Sequence, residues 1–427
     1  MHTPATDTQS TSLPRLVFRV LAPFACGYFL SYLFRAVNAV VAPNLVSDVG
    51  LTASELGLLT SAYLIAFALF QLPLGLLLDR FGPRRVQTGL LCCSAAGSLI
   101  FSVAESALAL TLARALIGMG FAGGLMSGFK AVSMWLPPER HAIANASIMS
   151  IGGLGILVAT VPTEIAVQAV GWRTVFGGLA GITLAVAILI FSVVPDRATA
   201  ATHGTFGQQL AGLRAIYRDR LFWRLVPLVA ATAGAHVAIQ TLWAGPWFRD
   251  VAGLDRDGVA IHLMITAAAF LAGTLLGGIV ADWLGRRGIG VLQVMSAALC
   301  VYFVAQVAVI LEWTSMLIPV WIAFGMTGQL SILAYPWISA YFGTAYAGRA
   351  HTATNLLVFG TAFAVQYSIG AVIDLFPTTD AGTYDPRAYR YSFMVILGVQ
   401  LLAFAWFLPL LRRTAKSGQI TSNVHGT

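Results

Sequence analysis

The 427 residues carry 58% hydrophobic and only 10% charged side chains, with a mean hydropathy of +0.81, whereas soluble domains hold about 25% charged residues. This balance excludes a water-soluble globule. The formal charge of +8 suggests nucleic acid only until its placement along the chain is read.

Apolar runs of about 20 residues, each long enough to cross a hydrocarbon core of roughly 30 Å as a helix, recur from end to end. They predict helices over 18–46, 55–79, 84–104, 107–135, 140–166, 172–194, 222–248, 258–281, 288–311, 314–342, 350–376 and 389–411. The first run contains Arg35 and is too long for a cleavable leader, so it reads as a retained helix. With the N-terminus placed inside and the sides alternating, 17 of the 25 Lys and Arg fall on cytoplasmic segments. Five (Arg173, Arg249, Arg256, Arg387, Arg390) fall outside, and Arg35, Arg114 and Lys130 lie within helices. The positive-inside rule then puts both termini in the cytoplasm of a bacterial inner-membrane protein. The basic balance is topological, and no nucleic-acid partner is expected.

Residues 195–221 form the longest polar interruption, with Pro195, Asp196, Arg197 and the cluster Arg214, Arg218, Arg220. The expected organisation is a tail (1–17), a six-helix bundle (18–194), a cytoplasmic linker (195–221), a second six-helix bundle (222–411) and a tail (412–427), the two ends reading as disordered. The halves repeat one another. Pro43 and Pro246, Gly75 and Gly278, Asp79 and Asp282, and Gly82 and Gly285 share one offset in the sequence, while Asn145 and Asn355, and Glu164 and Asp374, share a slightly longer one. An all-α membrane protein of twelve helices in two pseudo-symmetric bundles follows. Cys26, Cys92, Cys93 and Cys300 lie in apolar runs without metal or redox spacing and read as packing residues.

After the second helix stands Gly75-Leu-Leu-Leu-Asp79-Arg80-Phe-Gly82-Pro-Arg84-Arg85, and after the eighth Gly278-Ile-Val-Ala-Asp282-Trp-Leu-Gly285-Arg286-Arg287. The glycines allow tight turns and the arginines stay on the cytoplasmic surface. Each aspartate sits at a helix C-terminus, where the macrodipole disfavours an anion, so each needs a partner: a nearby arginine or the N-terminus of another helix. Such a pair, broken when the halves rock apart, would latch one conformational state. The motif resembles the signature loop of the major facilitator superfamily. Arg114 with Gly118, Trp135-Leu-Pro-Pro-Glu139-Arg140 and Gly171-Trp172-Arg173 resemble other stretches of that family. The resemblance implies two six-helix bundles and transport by alternating access. Drug antiporters of the family carry Gly-Pro in the fifth helix; here Gly152, Gly153 and Gly155 stand apart from Pro162, a departure that weighs against a multidrug exporter.

Ionisable groups inside a bilayer are costly and mark function. Arg35 lies near mid-membrane and Arg114 nearer the outer side, and no central acid accompanies them. A net-positive cavity suits a carboxylate or phosphate ester held by an arginine fork. At about 100° per residue, Tyr28, Tyr32 and Asn38 share the face of Arg35. The order Tyr32, Arg35, Asn38, Pro43 resembles the first helix of organic-anion and sugar-phosphate members of the superfamily, whose arginine there binds the cargo's anionic group. The alternatives are a structural Arg35 bonded to backbone carbonyls and an Arg114 used for packing or proton coupling. Lys130, about 160° round from Arg114, is expected to snorkel to the headgroups. In the second half, His236, Gln240, Trp243 and Trp247 follow helical spacing. Of these, His236 is either a proton carrier or a packing residue. Gln329 and Tyr335, with Asn355, Gln366 and Tyr367, supply uncharged hydrogen bonds to cargo or between helices.

The reading is a monomeric secondary transporter for a small organic anion, proton-coupled and directed inward. It closes helices 1 and 7 over its cargo and opens on release of the loops around Asp79 and Asp282. The proton carrier stays open between His236, Glu164 and the cargo itself. No cofactor or metal is implied, and no ATP-binding GxxxxGK[ST] loop occurs. An exporter of amphipathic compounds is the rival within transport. A membrane enzyme should show clustered His or acids at a membrane face, and a sensor should carry a soluble domain; neither is seen.

Overall fold

The computed structural model describes residues 13–196, 206–377 and 383–417. Residues 1–12 and 418–427 of the expected tails (1–17 and 412–427) and 197–205 of the expected linker lie outside the described residues, and the described parts of both tails are helical, the first helix starting at Leu13 and the last ending at Ser417.

Among the described residues there is no strand. The helices are α1 (Leu13–Ala36), α2 (Asn38–Val49), α3 (Ala53–Val103), α4 (Ala107–Phe121), α5 (Gly124–Trp135), α6 (His141–Val158), α7 (Val161–Val193) and α8 (Phe206–Tyr217). They continue as α9 (Phe222–Ala238), α10 (Ala244–Asp250), α11 (Arg256–Gly285), α12 (Val291–Ile310), α13 (Leu317–Gly328), α14 (Ala334–Phe342), α15 (Thr344–Ile373) and α16 (Pro386–Ser417). Two of these contain a turn: α3 reverses at Gly82 (φ 76°) and α7 at Gly171 (φ 78°). Both glycines hold the left-handed conformation that a side chain disfavours. Pro83 directly after Gly82 starts the next helix at a position where no N–H is needed. Dividing α3 and α7 there, and joining α1–α2, α4–α5, α6 with the start of α7, α9–α10 and α13–α14, gives twelve spans in two related sets of six. The face where α1 begins and α16 ends is called here the terminal face, and the opposite one the distal face.

The first, fourth, seventh and tenth spans are all broken near their middle. α1 and α2 meet at 47°. The fourth span breaks at Ala122 and Gly123, the seventh passes through a π-helical turn at Ile239–Trp243, and the tenth through a 3-10 turn at Leu330–Leu333. Proline accounts for the breaks of the seventh and tenth spans, since a ring nitrogen cannot donate to the carbonyl four residues back, and Pro246 and Pro336 each stand third in the helix that follows the break. Pro246 thus releases the carbonyl of Leu242 and Pro336 that of Ile332, while Pro43, inside α2 and six residues past the first break, releases that of Ala39. Gly245 packs directly on the freed Ala39 carbonyl; a Cβ there would lie 2.6 Å from that oxygen. The first and seventh spans therefore touch backbone to backbone on the distal side of their breaks.

The expected linker is more ordered than a polar connector. Its helix α8 lies along α15, Tyr217 donating its hydroxyl to the Ala353 carbonyl at 3.1 Å, and Asp219 caps the start of α9 through the Leu221 and Phe222 N–H groups, both at 2.8 Å. The cysteines depart from the packing expectation: Cys26, Cys92 and Cys300 are exposed on outward helix faces. A thiol is apolar enough to face lipid.

Candidate functional site

At the breaks of the first, seventh and tenth spans lies a central cavity of about 30 Å³, lined by Tyr32, Arg35, Ala36, Ile156, Val237, Gln240, Thr241, Phe270 and Gln329. A water needs about 10–15 Å³ of such room, so the walls are nearly closed on each other. Arg35 is the single formal charge on the wall. Its guanidinium carbon lies 4.9 Å from the Tyr32 ring centre, 5.1 Å from Phe67 and 5.3 Å from Phe359. The three rings come from the first, second and eleventh spans, so both bundles build the cage around one cation, which the ring quadrupoles stabilise. Among the described residues no carboxylate pairs with Arg35, and its Nε is buried without a partner. Tyr28 meets the Tyr32 ring edge to face and donates to the Tyr32 hydroxyl at 3.4 Å.

Of the residues singled out from the sequence, Tyr32, Arg35, Gln240 and Gln329 reach the cavity wall. Tyr367 faces outward, 42% exposed, and the others pack behind the wall. Arg114 is fully buried and donates to the Phe34 carbonyl at 2.9 Å, the backbone contact that was one of the alternatives for Arg35. Asn38 donates to the Thr60 hydroxyl at 2.9 Å, and Trp243 to the Gln366 carbonyl at 2.9 Å. Asn355 accepts from the Tyr335 hydroxyl at 2.5 Å. His236 is fully buried, with ring centres of Phe324, Phe270 and Tyr302 5.1–5.9 Å away, and it rests on Gly328, where a Cβ would meet its ring at 2.0 Å. Sequence reasoning missed Phe67 and Phe359, because an aromatic ring in an apolar helix carries no mark of the cation it faces. It also missed Thr241, one residue past Gln240 in the π-helical turn, where helical spacing no longer applies.

Among the described residues the two signature loops make no hydrogen bond or ion pair between the bundles. Asp79 pairs with Lys130 at 2.9 Å within the first bundle, so Lys130 is an ion-pair partner and not a headgroup anchor, and the partner of Asp79 is a lysine and not an arginine. Arg85 reaches Asp196 at 2.6 Å, while Arg84 donates to the Phe191 carbonyl at 2.8 Å. Arg80 lies over the Phe81 ring. In the second loop Asp282 has no ion pair among the described residues, and Arg287 stacks on Trp283 at 3.6 Å, beside Arg286, the residue that caps the C-terminal end of α11. The left-handed turn here falls on Gly288 (φ 83°) and not on Gly285: no proline follows Gly285, and a turn through Arg286–Gly288 is inserted after the helix ends. Gly75 and Gly278 lie inside their helices, and nothing lies within 4 Å of a Cβ at Gly278.

The bundles are bridged at the distal face instead. Glu164 of the fifth span accepts from Arg256 Nε at 2.6 Å, at the start of the eighth, and the same arginine donates to Asn44 at 2.7 Å. Gln168 adds a bond to Asp257 at 3.1 Å. On the other side of the pseudo-dyad, Asp374 of the eleventh span accepts from the N–H groups of Ala53 and Ser54, at 3.0 and 2.9 Å, opening the second. Glu164 and Asp374 are repeat partners, and each holds the N-terminal end of a helix in the opposite bundle, where an anion is favoured.

Twelve spans in two related bundles around one central polar cavity define a multi-pass membrane transporter. The chain belongs to the Major Facilitator Superfamily, whose model matches residues 24–371, and it is not an enzyme. It is 26% identical over 416 residues (92% of this chain and 94% of the other) to a probable sulfoacetate transporter of Cupriavidus necator. It is also 24% identical to a probable L-galactonate transporter of Escherichia coli, covering 69% of this chain and 67% of the other. The fold matches a bacterial homologue of the human lysosomal transporter Spinster with a TM-score of 0.74 at 18% identity, over 96% of this chain and 99% of that one.

Proposed function

We propose that this transporter carries a small organic anion, a carboxylate or phosphate ester, inward across the bacterial inner membrane with proton coupling, its terminal face being cytoplasmic. One observation carries the anion reading: the only charge on the cavity wall is Arg35, caged by rings and not neutralised by any carboxylate among the described residues. A cation kept in a low-dielectric site without a counter-ion is costly, and an anionic cargo that supplies the missing charge recovers that cost on binding. The names of the sulfoacetate and galactonate relatives support the same class.

Coupling follows from the charge of the cargo. Moving one negative charge inward against a potential negative inside costs about 2.3 kcal/mol per 100 mV, and a co-transported proton cancels that cost. With no acid on the cavity wall, the proton travels on His236, on Glu164 or on the cargo itself.

The test is thermal unfolding of the purified protein with monocarboxylates, dicarboxylates, phosphate esters, neutral sugars and cationic drugs, for wild type and Arg35→Ala. A ligand at a hundred times its Kd stabilises the native state by about 2.7 kcal/mol. Stabilisation by anions that disappears in Arg35→Ala is the expected result. Stabilisation by drugs or sugars that survives the substitution overturns the reading and favours the amphipathic exporter.

A further inference from the structure

The two walls of the cavity differ in charge. The first-bundle wall presents Arg35 and Tyr32, while the second-bundle wall presents Gln240, Thr241, Gln329, Val237 and Phe270, with no formal charge. Thr241 is already engaged, donating to the Val237 carbonyl at 2.7 Å and accepting from Gln366 at 3.2 Å. The two glutamines are not satisfied: Gln240 Nε2, on a side chain only 8% exposed, and Gln329 Oε1 are buried without partners. Buried amide atoms left in this way carry a desolvation cost that a matching ligand group removes.

From this asymmetry we infer that the cargo is a monoanion with an uncharged hydroxyl-bearing end, its anionic group on Arg35 and a hydroxyl between Gln240 Nε2 and Gln329 Oε1. This deepens the anion reading above and rests on it. A hydroxyl both donates and accepts, so one group satisfies the N–H of Gln240 and the carbonyl of Gln329 together. An ionised second carboxylate or sulfonate only accepts. It would face the Gln329 carbonyl, Val237 and Phe270 with no cation to balance it, and a buried unpaired charge is among the strongest grounds for rejection. A plain alkyl end leaves both amide atoms unpaired and is rejected for the opposite reason. Sulfoacetate, the cargo in the name of one relative, is a dianion at neutral pH and falls on the disfavoured side.

The test compares ligands in matched sets by thermal unfolding and by equilibrium binding: glycolate, lactate and gluconate; their dianionic counterparts tartronate, malate and glucarate with sulfoacetate; and acetate, propionate and hexanoate. The variants are Arg35→Ala, Gln240→Leu, Gln329→Leu and Gln329→Lys. The expected result is a hydroxylated monoanion bound on the order of 100-fold more tightly than its dianion. In Gln240→Leu and Gln329→Leu the advantage over the plain monoanion shrinks while the dependence on Arg35 remains, and Gln329→Lys moves the preference toward dianions. If dianions or plain monoanions bind wild type as tightly as hydroxylated monoanions in an Arg35-dependent way, the inference is overturned while the anion reading stands. If no anion binds, or Arg35→Ala binds them as well as wild type, both fall. The wild-type panel alone decides the matter where a variant does not fold.

Discussion

Neither Arg35 nor Arg114 has a carboxylate partner among the described residues, and access to the cavity separates them: Arg35 lines it, while Arg114 lies behind it with its Nε and Nη2 also unpartnered. Arg114 spends one N–H on the Phe34 carbonyl and lies over the Tyr63 ring at 5.1 Å, out of reach of the cavity. A hydrogen bond to a charged group contributes about 1.5–3 kcal/mol. Arg114→Ala is therefore expected to lower the melting temperature with and without cargo while leaving the ligand-induced shift intact. Arg35→Ala should do the reverse, keeping or raising the melting temperature of the empty protein and abolishing the shift. Unfolding curves of both variants with and without a bound anion measure the contrast, and equal loss of the ligand shift in both would place Arg114 in the site. From the sequence both arginines carry the same mark, an ion in an apolar helix, and only their side-chain surroundings separate them.

Among elements, the packing of spans on one another rests on glycines that the repeat pattern does not reveal. Gly118 of α4 lies against α3 so closely that a Cβ would stand 2.2 Å from the Tyr63 carbonyl oxygen, and Gly273 of α11 would meet the Met326 carbonyl at 2.0 Å. Overpacking of this kind costs about 1–3 kcal/mol, so Gly118→Ala and Gly273→Ala are each expected to destabilise by at least that range. Gly178 of α7 is exposed, with nothing within 4 Å of a Cβ. There, Gly178→Ala should be neutral or stabilising by up to about 1 kcal/mol, the helix-propensity difference. Thermal or denaturant unfolding of the three variants in detergent checks the ranking. The breaks at mid-span are only half legible: Pro246 and Pro336 announce those of the seventh and tenth spans, whereas the first span breaks at Val37, six residues ahead of Pro43, and the fourth breaks at Ala122 and Gly123 with no proline.

On the scale of the whole molecule the distal face is closed by two related bridges, while among the described residues the signature loops make no hydrogen bond or ion pair across the bundles. Glu164→Gln leaves Arg256 without its ion pair, and Asp374→Asn removes the charge that caps the second span. Charge-assisted bonds are about twice as strong as neutral ones, so the double variant is expected to spend more of its time open at the distal face. A cysteine at Val40, in a background without the native cysteines, reports this through a membrane-impermeant thiol reagent applied from the outside: labelling should rise at least several-fold, on the order of the tenfold that each 1.4 kcal/mol brings. Unchanged labelling would return the bridges to a packing role. The same variants should impair transport more than cargo binding, since the bridges touch no part of the cavity.

Helix number, the repeat, the cation in the first span and the asymmetric arginine distribution were all determined along the chain itself. Each is set by a local cost, the price of a polar backbone or an ion in hydrocarbon, and that cost is paid or avoided within about 20 consecutive residues. The tertiary structure alone decided that Phe67 and Phe359 cage Arg35, that Lys130 answers Asp79, and that Glu164 and Asp374 reach across the bundles to partners 92 and 321 residues away. Those pairings depend on which helix faces meet and on how far each span bends at its break, and neither is a property of any one segment.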